Sequence, residues 1–232
     1  MLTYTISGSG NVLSGAFRDP VTRELDIAPV SASPTQTVYR QPDTGFTTTI
    51  TGTCLSANPL TAPTGTVTGI TIRNAAGDVV GTFSGMSWAA EALGNALAAG
   101  YNDGDWAPLG ALYSLQPMTL DLTGRTSADF RATEGIAPFI TSAVTHIGSS
   151  FGDRFHTGAG DDVVRVGGAP FGGTGERIYA SAGNDTYDFS GILPRSATGG
   201  IQNSWIDLIY ESDVHAVAGP ITVMLDGGGQ YR

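Results

Sequence analysis

Residues 148–191 read GSSFGDRFHTGAGDDVVRVGGAPFGGTGERIYASAGNDTYDFSG, and the second half of this stretch repeats the first. With Gly152 placed on Gly175, GDRFHTGAGDDVVRV lies over GERIYASAGNDTYDF in one register. Asp153 falls on Glu176, Arg154 on Arg177, Phe155 on Ile178, Gly160 on Gly183, Asp162 on Asp185 and Val164 on Tyr187. Acids match acids and apolar residues match apolar residues. A fixed repeat of this kind dictates architecture, because each unit buries its apolar face only against its neighbours.

Inside the repeat a shorter unit of nine residues recurs, TGAGDDVVR at 157–165 and ASAGNDTYD at 180–188. Each is a tight turn, an acid, then a short strand with one apolar residue two places after the acid. The pattern follows the nonapeptide G-G-x-G-x-D-x-U-x. The block resembles a hemolysin-type (RTX) calcium-binding repeat region. That resemblance implies a parallel β-roll that folds around Ca2+, and export without an N-terminal signal followed by folding outside the cell.

The residues themselves make a physical case beside the resemblance. A six-residue turn that aims its carbonyls at one centre needs positive φ where glycine is comfortable. Gly158, Gly160 and Gly183 are the candidates, with Ser181 standing where one glycine is expected. Carboxylates at the end of each turn supply the hard, charged oxygen that calcium prefers. The strands offer a thin core of Phe155, Val164, Ile178 and Tyr187, too small to offset backbone entropy unaided. The plainer alternative is a metal-free hairpin region that happens to carry Asp in its turns.

In the roll that the resemblance implies, two nonapeptides make one coil, so turns on the same edge lie about 18 residues apart. Here the separation is 23, from Asp153 to Glu176 and from Asp162 to Asp185, and the excess is placed in a bulged loop at 166–171. Two edges are therefore expected. One holds Asp162 and Asp185 with Asp161 and Asn184 beside them, and is the better calcium site. The other holds Asp153 and Glu176 in less regular turns and is the weaker. About two coils are expected, too few to stand alone, so the flanking chain must cap them.

Outward from the repeat, the chain is expected to be mainly β. An N-terminal antiparallel β domain with two short helices (1–125, helical insertion 88–115) precedes the RTX-like roll and further strands (126–232). Thr-, Val-, Ile- and Tyr-rich runs predict strands at 2–6, 35–40, 47–54, 66–73, 79–83 and 117–122. Turn residues separate them at 8–11, 42–45 and 58–65, and those at 74–78 predict a hairpin. Ser87 is expected to cap a helix from Trp88 to about residue 99 that stops on Gly100, and Asp105 a second over 106–114. A faint, out-of-register copy of the repeat stands at 126–130. A pair of strands is expected at 204–210 and 221–225.

Composition narrows the function classes. The 232 residues carry 11 basic and 21 acidic side chains, for a net charge of −10. That balance excludes a nucleic-acid or anionic-membrane surface, which needs a positive stripe. Cys54 is the single cysteine, expected to be a small buried hydrophobe. No apolar run is long enough to cross a membrane. MLTYTISGSG lacks a basic and an apolar region, so no cleavable signal is expected, and the ending GGGQYR does not resemble an export signal.

No catalytic motif appears: the histidines at 146, 156 and 215 show no metal-protease spacing, and no nucleophile elbow or phosphate loop is present. His156 is expected to face outward on a strand, as its repeat partner Tyr179 does. The function expected is an extracellular or particle-surface calcium-binding structural or adhesive module, with Ca2+ as cofactor and cell-surface glycan or other subunits as partners. The alternative is a polysaccharide-active, carbohydrate-binding or host-recognition protein, including a phage surface component, that uses the roll as a folding clamp. An acidic cleft lined by Trp88 and Trp106 would favour that alternative.

Overall fold

The computed structural model describes residues 1–8, 12–17, 25–56, 63–127, 135–167, 176–190, 206–210 and 222–224. The chain opens with β1 (Leu2–Gly8), the short helix α1 (Val12–Phe17), β2 (Ala28–Ser33), β3 (Gln36–Arg40), β4 (Thr47–Thr53), β5 (Thr66–Arg73) and β6 (Val79–Ala89). Helices α2 (Ala90–Ala98) and α3 (Ala107–Tyr113) precede β7 (Met118–Arg125) and β8 (Val144–Ile147). Short strands then follow: β9 (Arg154–His156), β10 (Val163–Arg165), β11 (Glu176–Ala180), β12 (Thr186–Asp188), β13 (Ile206–Tyr210) and β14 (Thr222–Met224).

Eleven of these strands form one sheet in the order β14-β12-β10-β8-β7-β1-β6-β5-β4-β3-β2, and β13-β11-β9 form a second. From β2 to β1 neighbours run antiparallel. From β1 through β7 to β14 every pairing is parallel. The fold is thus mainly β: an antiparallel half with helices, then a parallel roll whose strands alternate between the two sheets. The residue 125/126 division falls at the end of β7, which pairs with both β1 and β8.

A single row of residues crosses the long sheet and explains how the halves join. Ile50, Ile70, Phe83, Tyr4, Leu120, His146, Val164 and Tyr187 are successive register partners. Because side chains alternate faces along a strand, the whole row points to one side. In the antiparallel half that side is covered by helices. Tyr113 of α3 packs 6.1 Å from Phe83 and 5.8 Å from Trp88, between ring centroids. In the roll the same side is covered by the second sheet, whose Phe155 ring stands edge-on to His146. The helices therefore take the place of the missing second sheet and close the first end of the roll.

Several expectations are corrected. The roll is longer than two coils: β8–β9, β10–β11 and β12–β13 make three, and β14 begins a fourth. The strands at 206–210 and 222–224 do not pair with each other; β13 joins β11 and β14 joins β12. β6 continues through Ser87 and Trp88, so Ser87 caps no helix, and α2 starts on Ala89 without a side-chain cap. Gly100 lies within a π-turn at Ala99–Asp103, and the left-handed stop is Gly104, at φ 73°. Asp105 does accept the Ala107 N–H, at 3.1 Å. Strand β2 and helix α1 were unforeseen.

Cys54 is exposed, in a left-handed conformation at the end of β4, while its neighbour Leu55 takes the buried place. The turn at 74–78 is as expected, with the Asn74 side chain accepting N–H bonds from Ala76 and Asp78. Most of the expected repeat copy at 126–130 and of the loop at 58–65 lies outside the described residues, as does the expected bulge beyond residue 167.

Candidate cation-binding edges of the roll

The turns between strands stack on two edges, pairing the acids as their spacing requires. On the first edge, the Asp162 N–H donates to Asp185 Oδ1 at 3.0 Å, and the Asn184 N–H to Asp161 Oδ1 at 2.8 Å. On the second, the Asp153 N–H donates to Glu176 Oε2 at 2.7 Å. Each of these links joins residues 23 apart. The turn acids are deeply placed: Asp153, Asp162, Glu176 and Asp185 are all at most 4% exposed.

A common device recurs along both edges. One carboxylate closes its own turn: Asp162 Oδ2 accepts the Gly158 N–H at 2.8 Å, and Asp153 Oδ2 accepts the Ser149 N–H at 2.7 Å, each four residues back. An acid also satisfies the amide one coil earlier on its ladder. Asp162 Oδ1 accepts the Val144 N–H at 2.7 Å, just as Asp185 serves Asp162 and Glu176 serves Asp153. The acids thus stitch coils together through otherwise orphaned backbone donors. Thr157 and Ser181 add a hydroxyl contact beneath the first edge, and Ser181 Oγ also donates to the Gly158 carbonyl.

The glycines work mainly by close approach. Gly183 has the positive φ, 126°, and a Cβ there would meet the Gly160 carbonyl at 2.1 Å. Gly158 and Gly160 do not share that backbone conformation, contrary to expectation. Their requirement is steric: a Cβ on either would lie within 2.5 Å of backbone atoms of Ile140 or Ser142. The turn at 140–143 is thus the first rung of the stack, though its sequence carries neither the glycines nor the acid.

The electrostatics of the two edges differ. Burial, with smaller pushes from Asp185 and Asp161 and against the bonds from Val144 and Gly158, raises the Asp162 carboxyl to about 7. Burial and Asp161 raise Asp185 as well. On the second edge burial raises Asp153 to about 6 and Glu176 to about 8. There the Ser149 bonds and then the buried guanidinium of Arg125, at the end of β7, oppose the rise of Asp153, while Asp153 raises Glu176 further. Among the described residues no such cation acts on Asp162 or Asp185.

The donor chemistry suits a hard cation. Every candidate ligand is an oxygen, and on the first edge the Asp162 and Asp185 oxygens each accept one bond and keep a lone pair. On the second edge Glu176 Oε1 is buried with no hydrogen-bond partner among the described residues. Among the described residues no three His, Cys, Asp or Glu side chains converge into a ready cage, so turn carbonyls would have to complete any coordination. Asp162 and Asp185 would hold the ion on the first edge with Asp161 beside them, and calcium there would supply the positive charge that edge lacks. Sequence reading missed the parts played by Ser149, Val144 and Arg125, and placed Tyr187 in the core without its hydroxyl bond to Asp185. Only Ser149 carried a signal, since it precedes Asp153 by the same four places as Gly158 precedes Asp162.

Outside the edges, His146 is fully buried and neither ring nitrogen has a hydrogen-bond partner among the described residues; burial drives it down to about 3. His156 faces outward and stacks on Tyr179 at 4.2 Å. Trp88 is buried in the helix–sheet core and Trp106 packs edge-on against Tyr101, so the two do not line an open acidic cleft. Among the described residues no helix is long and apolar enough to cross a membrane. No family model, curated protein or solved structure matches the chain.

Proposed function

We propose that this chain is an extracellular calcium-binding structural or adhesive module in which Ca2+ folds and rigidifies the β-roll. The observation that carries the reading is the first edge, where the buried Asp162 and Asp185 share one stack of turns with the exposed Asp161 and, among the described residues, no cation acts on either buried acid. Burying carboxylates without a positive partner is costly, and such groups neutralise by taking up a proton or a cation. Calcium does this with oxygen ligands at neutral pH, and its binding free energy becomes folding free energy.

The RTX resemblance of residues 148–191 supports the same reading and suggests where the module works. Calcium is abundant outside cells, so a roll completed by calcium folds after export and then serves as a rigid spacer or adhesive surface. Its partners are then calcium and a cell-surface glycan or another subunit.

The test is a calcium titration of the full chain, followed by circular dichroism and calorimetry at pH 8. Added calcium is expected to raise both the β signal and the melting temperature, with magnesium much less effective. A chain whose spectrum and melting point ignore calcium would remove the reading.

A further inference from the structure

We propose that the cavity between helix α2 and strands β3, β4 and β5 is a binding slot for the aliphatic end of an uncharged, hydroxyl-bearing amphiphile. Its floor is Thr37, Ile50 and Val67, one from each strand, and its roof is Ala90, Gly94 and Leu97 of the helix. Thr37 is the register partner of Ile50, so both side chains stand on the inner face of the antiparallel half. The cavity volume is about 70 Å³. An apolar cavity of about 150 Å³ takes a benzene ring, so this one holds a chain end of about three or four carbons.

Two features of the lining select the ligand. Among the described residues no charged side chain lines the cavity. A charge buried without a partner is costly, so the guest is neutral. The second feature is Thr37, which is 5% exposed and whose hydroxyl has no hydrogen-bond partner among the described residues. Buried hydroxyls in folded proteins are nearly always partnered. A threonine hydroxyl both donates and accepts, and a guest hydroxyl complements it in either sense. A hydrocarbon would fill the space and leave Thr37 unpaired. Tyr39, Ser56 and Thr64, half-exposed or exposed, add further neutral hydroxyls to the lining.

The roof is built from small residues where larger ones would close the slot. Ala90 and Gly94 stand about one turn apart on α2, although glycine inside a helix weakens it. Gly94 also lies close to Pro63, whose Cγ a Cβ there would meet at 3.1 Å. Ala90, buried at 7% exposure, is therefore the clearer position from which to fill the cavity.

The test titrates straight-chain alcohols into the isotope-labelled full chain and follows the NMR chemical shifts. 1-Butanol is expected to shift Thr37, Ile50 and Leu97, with an affinity on the order of millimolar for so small a ligand. From ethanol to 1-butanol the affinity should rise about fourfold per methylene, then level off as the slot fills. Butyrate and butylammonium keep the chain but carry a charge, and are expected to bind at least about tenfold more weakly. Ala90→Leu is expected to abolish binding without lowering the melting temperature. Thr37→Val should weaken 1-butanol about fivefold and leave 1-chlorobutane unchanged. Circular dichroism checks each fold, and if Ala90→Leu does not fold, Thr37→Val decides. Shifts spread over the whole surface, an affinity that keeps rising through 1-octanol, equal binding of butyrate, or undiminished binding by the folded variants overturns the proposal. The lining includes none of the turn acids. A chain that binds 1-butanol but ignores calcium therefore leaves this inference standing while the calcium reading falls, and the reverse result separates them the other way.

Discussion

On one edge of the roll Asp162 and Asp185 hold each other's coils together among further acids, whereas on the other Asp153 and Glu176 do the same work and Arg125 acts on Asp153. The backbone task is identical: an acid accepts the amide of the equivalent residue one coil earlier. The difference lies in where positive charge comes from. The second edge is given some by the end of β7, from the antiparallel half. Among the described residues the first has no such neighbour, and protons or metal ions from solution would supply the charge. The comparison teaches that regular turn sequence alone does not show which edge has a positive neighbour; the adjoining element supplies it.

The largest expected effect is collective and depends on pH. Asp153, Asp162 and Glu176 titrate near 6, 7 and 8 in the fold, against about 4 in an unfolded chain. Their folded values are raised, so the stability they contribute is full below about pH 4 and is lost as pH rises through 6 to 8. His146, held at about 3, acts oppositely: its contribution is present above about 6.5 and lost on acidification. Three carboxyls up to about pH 6, and two from there to 6.5, outnumber one imidazole, and above that the imidazole has no effect. In the absence of divalent cations the melting temperature should therefore fall by roughly ten degrees or more from pH 5 to pH 8. A melting temperature that rises over this range breaks the shared premise of both edges.

Next in size is Asp162→Ala. It strips the acceptor from the Val144 and Gly158 amides, both buried, and should cost roughly 2–5 kcal/mol in urea unfolding. A loss under about 0.5 kcal/mol, the range of ordinary surface changes, would mean that the stitches carry no weight. Arg125→Gln sharpens the comparison itself. Removing this charge should cost about 2 kcal/mol at pH 8 and make the second edge resemble the first, so that calcium restores more stability to the variant than to the parent. An unchanged calcium response would show that the guanidinium does not serve that edge. The smallest effect is expected for Tyr187→Phe, which removes a 3.1 Å bond to Asp185 Oδ2 and should cost about 1 kcal/mol by the same unfolding measurement.

Much of the roll was legible because its signals are local. The acids, the turn glycines and the single apolar residue per strand recur in register, and Phe155, Val164, Ile178 and Tyr187 all lie in the core. What escaped was carried by long-range contacts. β8 and the turn before it complete the stack without a glycine or an acid, because the acceptor that serves Val144 arrives from Asp162 in the next coil. Strands β13 and β14 are reached by segments without the nonapeptide, so their parallel partners could not be read from spacing. β6 runs on to Ala89 because Trp88 fills the helix–sheet core from a strand position, overriding the capping pattern at Ser87. Arg125 lies 28 residues before Asp153 in a sequence region with no repeat, so only the parallel pairing of β7 with β8 brings its charge to the roll.

The central claim is that the cation belongs to the first edge. It is tested most directly by the calcium-induced rise in melting temperature at pH 8 in two paired variants, Asp162→Asn with Asp185→Asn, and Asp153→Asn with Glu176→Gln. The account predicts that the first pair abolishes the rise and the second retains most of it. A rise kept by the first pair and lost by the second would contradict it.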